Sequence, residues 1–222
     1  MEPTVDPPPR EPVFRGPWTV WTLVALILGS YALQSWTMDL STAARAFALS
    51  PAELAAGRWP PLFTDLFIHG GWAHAGMNAA GALAFGAPTA RFLGTGARGA
   101  AGFFLLYILC GVLSNLGYAA LHWHDLTPVA GASGAVSGLM GASTRMIERR
   151  PGLSPLLSRT VVMAGLAWTG VNIAFGLMHL APGIGDDVQI AWEAHIAGFL
   201  SGLLLIGPFG LLFRREPGPL SS

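Results

Sequence analysis

Six apolar stretches, each near the length of a membrane-spanning helix, dominate this 222-residue sequence. An α-helix needs about 20 mostly apolar residues to cross the hydrocarbon core of a bilayer. The predicted spans are residues 18–36, 72–93, 100–121, 129–147, 160–180 and 190–213. The sequence therefore predicts an all-α membrane protein with one six-helix domain over residues 18–213 and short tails at residues 1–17 and 214–222.

The charge content agrees with this class and excludes others. Charged residues make up 11% of the chain, against about 25% in an ordinary soluble domain. A net charge of zero, with no lysine at all, leaves no basic surface for nucleic acid. Cys110 is the only cysteine, which excludes a disulfide framework and a thiolate metal cluster.

The N-terminal region divides into a tail and a first span. Residues 1–17 hold six prolines, a composition that favours disorder. We expect the apolar stretch 18–36 to be a retained anchor. A cleaved signal peptide is the open alternative, because Ala46-Phe47-Ala48 offers a small-residue cleavage site.

The arginines predict the orientation in the membrane. With an inside N-terminus, ten of the twelve arginines fall in cytoplasmic segments, and only Arg45 and Arg58 fall outside. Positively charged residues favour the cytoplasmic side, so both termini are expected to be cytoplasmic. The long outer segment 37–71 is expected to lie in the membrane interface because it carries Trp59, Phe63 and Phe67.

Polar side chains near the outer ends of three spans indicate a functional site. His74 and Asn78 belong to the second span, Ser133 to the fourth and His195 to the sixth. Polar groups inside a bilayer are costly and usually functional. Their occurrence at one end of three helices predicts a polar cavity that opens to the outer face.

Small residues indicate which helices touch. Gly134 and Gly138 in the fourth span, and Gly198 and Gly202 in the sixth, have the four-residue spacing that lets membrane helices approach closely. Gly131 is assigned to the same helix-packing set. A close contact between these spans is expected to bring Ser133 within hydrogen-bond reach of His195.

A serine beside a histidine has a chemical use. The imidazole can take the hydroxyl proton and activate the oxygen as a nucleophile. His74, Asn78 and the Ser133 backbone N–H are candidate donors to a developing oxyanion. No acidic residue completes a triad, so the sequence predicts a Ser133–His195 dyad. Structural roles remain open for His74 and Asn78 as a helix-holding pair and for His195 as a cap.

These motifs resemble those of the rhomboid family of intramembrane serine proteases. The resemblance covers roughly residues 58–205. It is carried by His69-x4-His74-x3-Asn78, by Gly131-Ala132-Ser133-Gly134, and by Ala194-His195-x2-Gly198-x3-Gly202. The motifs lie in the family's order on the second, fourth and sixth spans, as in its compact bacterial type.

The resemblance implies a serine endopeptidase that needs no cofactor or metal. Ser133 would be the nucleophile, His195 the base, and His74 and Asn78 the oxyanion ligands. The implied substrate is a transmembrane protein cut near the outer end of its helix, within the lipid bilayer. The implied location is the bacterial inner membrane. Met77 and Trp168 are candidates for lining a substrate gate.

Three positions depart from the family pattern. Trp59 is followed by Pro60 where the family often has arginine, Ala90 replaces a glutamate, and Ser137 replaces an aromatic residue that packs on the catalytic imidazole. Another group must orient His195 for full activity. These departures keep open a second hypothesis, a rhomboid-like protein that binds membrane helices without cutting them.

Two further functions fit less well. A transporter needs polar residues through the full depth of the bundle, and the inner halves of these spans lack them. A membrane metalloprotease needs His-Glu-x-x-His, which the pair His69 and His74 does not form.

Several other polar residues have structural interpretations. His69 is expected to anchor a loop, and Asn172 to bond a neighbouring helix. The segment His122-Trp123-His124-Asp125 is expected to be an interfacial turn rather than a metal site. His179 is expected at the interface, and Asp186 and Asp187 in an outer loop.

Overall fold

The computed structural model of the protein describes residues 16–148, 152–178 and 191–214, and these residues form a helical bundle. Its nine α-helices within those ranges are α1 (Trp18–Thr37), α2 (Leu40–Phe47), α3 (Pro51–Ala55), α4 (Pro61–Thr64), α5 (Trp72–Leu93), α6 (Ala97–Leu121), α7 (Ser133–Thr144), α8 (Arg159–Leu177) and α9 (Trp192–Phe213). A 3-10 turn, Asp65–Phe67, follows α4. The described residues contain no β-strand, only one isolated antiparallel bridge between Leu49 and Val129.

Four helices in the described ranges, α1, α6, α8 and α9, are long and apolar enough to cross a membrane. They present large apolar side chains outward, including Leu33, Leu166 and Leu211. An apolar surface this extensive is not found on monomeric soluble proteins. It is the surface expected of a bundle whose solvent is lipid.

Helix α7 occupies the centre of the bundle. It has only 12 residues, about 18 Å of helix, against a hydrocarbon core of about 30 Å. Ten of its residues are buried, and it packs against α9, α6 and α5. A helix enclosed by other helices can be short and small-sided, since protein rather than lipid surrounds it.

The predicted start of the fourth span, residue 129, is wrong. Val129 exchanges two backbone hydrogen bonds of 2.9 Å with Leu49, in the extended bridge between the two residues. Gly131 follows with a φ of 126°, and the helix begins only at Ser133. The tertiary pairing of Val129 with Leu49 delays the start of the helix by four residues relative to the start of the apolar stretch.

The other boundaries agree more closely with the sequence. Helix α5 coincides with the predicted second span, and α1 and α6 differ from theirs by three residues or fewer. The connection between α5 and α6 is a short turn, with Gly94 at a φ of 96°. Some predicted features lie outside the described residues: most of the tail 1–17, the arginines at 149 and 150, His179, Asp186, Asp187, the start of the sixth span at 190, and residues 215–222.

Residues 38–71 form a compact layer rather than an open loop. Helix α2 is capped by Asp39, whose carboxylate accepts the Thr42 N–H at 2.8 Å and the Ser41 hydroxyl at 2.7 Å. These bonds hold the pKa of Asp39 near 2. Ser50 caps α3. Trp59, Phe63 and Phe67 stay exposed on this layer.

Candidate active site

The contact between α7 and α9 is built on paired glycines. A Cβ added at Gly198 would collide with the backbone carbonyl of Gly134, and one added at Gly202 would collide with that of Gly138. The two helices therefore touch backbone to backbone, as the glycine spacing predicted. This close approach sets the distance between the side chains at the ends of the helices.

Ser133 and His195 meet at the end of this contact. Ser133 is the first residue of α7 and His195 lies in the first turn of α9. The His195 Nε2 lies 2.8 Å from the Ser133 Oγ. This is hydrogen-bond distance for a nucleophile and its base.

The segment before Ser133 is fixed on several sides. The Gly131 N–H donates to the backbone oxygen of Asp65 at 2.9 Å, and the Ala132 N–H donates to His69 Nε2 at 3.5 Å. Gly131, which the sequence assigned to the helix-packing and support set, precedes α7 rather than lying within it. Its φ of 126° belongs to a region that favours glycine.

His74 and Asn78 face this segment from α5. A Cβ at Gly131 would lie 2.7 Å from the His74 ring and 3.8 Å from Asn78 Nδ2. Asn78 is 4% exposed, and its Nδ2 has no hydrogen-bond partner among the described residues. The His74 Nδ1 accepts the Gly70 N–H at 3.4 Å, which leaves Nε2 as the protonated nitrogen of the neutral ring. Two side-chain donors thus border the start of α7.

A second polar layer supports the site, and sequence reasoning missed most of it. Gln34 on α1 holds both backbone groups of His69, at 3.0 Å and 2.9 Å, so His69 anchors its loop as expected. Burial, with a contribution from nearby His74, lowers the pKa of His69 to about 3. The Asn115 Nδ2 donates to Asp65 Oδ1 at 2.9 Å, and burial raises the pKa of Asp65 well above its ordinary value.

Asn172 of α8 reaches the other side of His195. Its Nδ2 donates to the Trp168 carbonyl oxygen at 2.9 Å, and its Oδ1 lies 2.8 Å from His195 Nδ1. The Trp168 ring is tilted 30° from the imidazole, with the ring centroids 6.5 Å apart. Asn172 does bond a neighbouring helix, and the group that it bonds is the imidazole of His195.

The remaining predicted residues lie elsewhere. Met77 is 46% exposed on α5, and Ser137 is buried one turn beyond Ser133. The Glu193 carboxylate contacts His122 instead of His195, with its Oε1 atom 3.1 Å from His122 Nε2. Residues 16–148, 152–178 and 191–214 contain no cluster of three or more metal-ligating side chains.

The contacts that sequence reasoning missed had weak signals in the sequence. Asn172 and Trp168 are four residues apart, which puts them on one helix face, but their partner depends on how α8 is rotated. Ser114, which donates to the Ala194 carbonyl at 2.6 Å, lies beside Asn115 in a largely apolar span. A single buried polar residue in each of several helices does not show which of them meet.

Comparison with known proteins agrees with the motifs. A family model described as the Rhomboid domain matches residues 56–211. The chain is 26% identical over 160 residues to the rhomboid protease GluP of Bacillus subtilis (strain 168), which covers 71% of this chain and 27% of that protein. It is 29% identical over 152 residues to a protein of the same organism named "Putative rhomboid protease YdcA", covering 68% of each.

The chain spans only about a quarter of the length of GluP. The match to the family's domain nevertheless takes in α5 to α9 almost completely and ends two residues before α9 does. It includes all the residues that meet around His195. The chain is therefore an integral membrane protein of the rhomboid family, a family of intramembrane serine proteases.

Proposed function

We propose that this chain is an intramembrane serine endopeptidase in which Ser133 is the nucleophile and His195 the general base. The observation that carries the proposal is the 2.8 Å distance between His195 Nε2 and Ser133 Oγ. A serine hydroxyl is a weak nucleophile until an adjacent base takes its proton.

The reaction follows from this geometry. The Ser133 Oγ attacks the carbonyl carbon of the scissile peptide bond while Nε2 takes the hydroxyl proton. The tetrahedral intermediate collapses, the C–N bond breaks, and Nε2 gives its proton to the leaving amine. A water molecule then attacks the acyl-enzyme, again giving a proton to Nε2, and the ester breaks as that proton returns to Ser133 Oγ. The base is regenerated with each turnover.

Three donors are available for the oxyanion. The first N–H groups of an α-helix have no partner within the helix, so the Ser133 N–H at the start of α7 is free to donate. The unpartnered Asn78 Nδ2 and the His74 Nε2 border the same point. Donors fixed before the reaction stabilise the developing charge without reorganisation.

The substrate class follows from the surroundings. The bundle exposes apolar helices to lipid, so a substrate that reaches Ser133 from the side is itself a transmembrane helix. With six spans and both termini cytoplasmic, Ser133 lies toward the outer face of a bacterial inner membrane. The exposed Met77 of α5 and the Trp168 beside His195 are the proposed lining of the substrate gate.

The test is covalent labelling of the detergent-purified protein with a fluorophosphonate, read by intact mass. Wild type is expected to gain one adduct, and Ser133→Ala and His195→Ala none. Asn78→Ala is expected to label about 10²–10³-fold more slowly, the usual cost of losing one oxyanion donor. Ser137→Ala is the matched control, because it removes a buried hydroxyl one turn away on the same helix.

Either failure of the labelling is informative. A folded wild type that gains no adduct contradicts the proposed protease function. It favours the second hypothesis, a protein that binds membrane helices without cutting them, which the departures at Pro60, Ala90 and Ser137 support. An adduct that persists in Ser133→Ala places the reactive group elsewhere. Cleavage of a single-span protein in liposomes by wild type but not by Ser133→Ala then tests the substrate class.

A further inference from the structure

We propose that Asn172 is a positioning residue that fixes the tautomer and orientation of His195. The inference rests on the proposed protease function and deepens it, because it supplies a third member to what the sequence presents as a dyad. It also identifies the group that orients His195 in the absence of an aromatic residue at position 137.

The amide of Asn172 has only one arrangement that satisfies its neighbours. The Trp168 backbone oxygen can only accept a hydrogen bond, so the Nδ2 group of Asn172 must face it, at 2.9 Å. The Oδ1 atom must then face His195 Nδ1, at 2.8 Å. Because Oδ1 can also only accept a hydrogen bond, His195 Nδ1 must donate it, and the proton of the neutral imidazole therefore resides on Nδ1.

This tautomer is the one that the reaction needs. With the proton on Nδ1, the lone pair of Nε2 points at the Ser133 hydroxyl, 2.8 Å away. When Nε2 takes the serine proton, the Nδ1–H remains bonded to Asn172, which itself neither gains nor loses a proton. In the opposite tautomer Nε2 would carry a hydrogen and accept nothing from Ser133.

A packing role alone does not explain this residue. Helix α8 buries only Val161, near its start, and Asn172. Asn172 is 3% exposed, and an apolar side chain would fill that space without the cost of burying an amide. The amide is satisfied only because both of its ends are bonded, one of them to the imidazole.

The Trp168 ring completes the support. It lies tilted against the imidazole, one helical turn before Asn172 on the same face of α8. His195 is thus held by an acceptor and an aromatic neighbour from one helix. Position 137 on α7, where the family has its aromatic residue, carries only the small side chain of Ser137.

The test is fluorophosphonate labelling kinetics in detergent, separating the inactivation rate constant from the apparent affinity for the probe. Asn172→Leu keeps the volume and removes the acceptor. We expect its rate constant to fall about 10- to 100-fold with affinity unchanged, less than the roughly 10⁴-fold loss when a charged triad member is replaced. Asn172→Asp restores an acceptor oxygen and is expected to regain most of the lost rate. Val171→Ala, an exposed neighbour on α8, is the matched control.

A merely structural role predicts a different pattern. It would lower the thermal unfolding temperature of Asn172→Leu without changing the rate constant of the folded fraction, and that result would overturn the proposal. The tautomer is also read directly from ¹⁵N chemical shifts of histidine-labelled wild type, with His195→Gln identifying the resonance. A proton found on Nε2 rather than Nδ1 would equally overturn it, even if Asn172→Leu does not fold.

The two proposals fail separately. A wild type that does not label contradicts the protease function, while the ¹⁵N spectrum still reports whether Asn172 holds Nδ1. A wild type that labels at the same rate as folded Asn172→Leu leaves the protease intact and removes Asn172 from its mechanism.

Discussion

Asp65 carries a buried carboxyl group, and its backbone supports the segment leading into Ser133. It is 1% exposed, and its backbone oxygen receives the Gly131 N–H at 2.9 Å. Burial raises the pKa of Asp65 well above its ordinary value, although the hydrogen bond from Asn115 acts in the opposite direction. The folded protein therefore holds a proton there that the unfolded chain releases at a lower pH.

This proton makes the free energy of unfolding depend on pH. Above the unfolded pKa, the folded state binds more protons at Asp65, so its contribution to stability is lost as the pH rises through the folded pKa. Asp65→Asn keeps a neutral acceptor for Asn115, and it should flatten the decline in stability that begins above the ordinary pKa of an aspartate, about 4. The measurement is the thermal unfolding temperature in detergent at a series of pH values.

Asp65→Leu is the control for this experiment. It removes the acceptor as well as the titratable proton, and relative to Asp65→Asn it should destabilise the protein by about 1–3 kcal/mol at every pH because the Asn115 amide loses a buried partner. If the unfolding temperature of Asp65→Asn declines as steeply with rising pH as that of wild type, another group carries the pH dependence.

At the scale of elements, the α7–α9 contact determines whether Ser133 and His195 meet. Gly198→Ala inserts a methyl group against the backbone carbonyl of Gly134, the residue after Ser133, and a backbone group cannot rotate away as a side chain can. We expect a loss of about 1–3 kcal/mol, typical of overpacking, and slower probe labelling. Unfolding temperature and labelling rate measure the two effects.

Gly170→Ala on α8 is the matched control for that contact. An added Cβ there meets no atom within 4 Å, and alanine is favoured over glycine in a helix by about 1 kcal/mol. This variant should be as stable as wild type or more so. Equal unfolding temperatures for Gly198→Ala and wild type would contradict the backbone-to-backbone contact.

The sequence predicts helices and their small-residue faces better than it predicts irregular backbone. Gly134 and Gly198 were found from spacing alone because close helix packing imposes a periodic pattern. The predicted start of α7 is four residues too early because the apolar stretch continues through residues 129–132, whereas the bridge from Val129 to Leu49 that precedes the helix is a tertiary contact. The bond from Asn172 to His195 was missed for a related reason, since it depends on the rotation of α8.

At the scale of the whole molecule, the orientation in the membrane that the arginines predict also determines the face on which Ser133 lies. Ser133 follows the connection from α6 to α7, so it shares a membrane face with residues 122–129. Helix α6 has 25 residues, about 37 Å, which exceeds the hydrocarbon core of about 30 Å. If α6 crosses the membrane, the turn before it and the connection after it lie on opposite faces.

Single cysteines on either side of α6 test this orientation. Thr95→Cys lies in the exposed turn before α6, and Leu126→Cys lies in the connection after it, where Leu126 is 75% exposed. The native Cys110 is fully buried and supplies little background. In spheroplasts, a membrane-impermeant maleimide should label Leu126→Cys and spare Thr95→Cys. The reason is that the positions of ten of the twelve arginines predict a cytoplasmic turn at Thr95 and an outer connection at Leu126.

Permeabilised membranes provide the control, since both cysteines should then react. The reverse pattern in spheroplasts would put Ser133 toward the cytoplasm, and the substrate bond would then lie near the inner end of a transmembrane helix. The expected pattern would put Ser133 and His195 toward the outer face, where water would reach the proposed acyl-enzyme without crossing the bilayer. Orientation thus determines which end of a substrate helix the protein can cut.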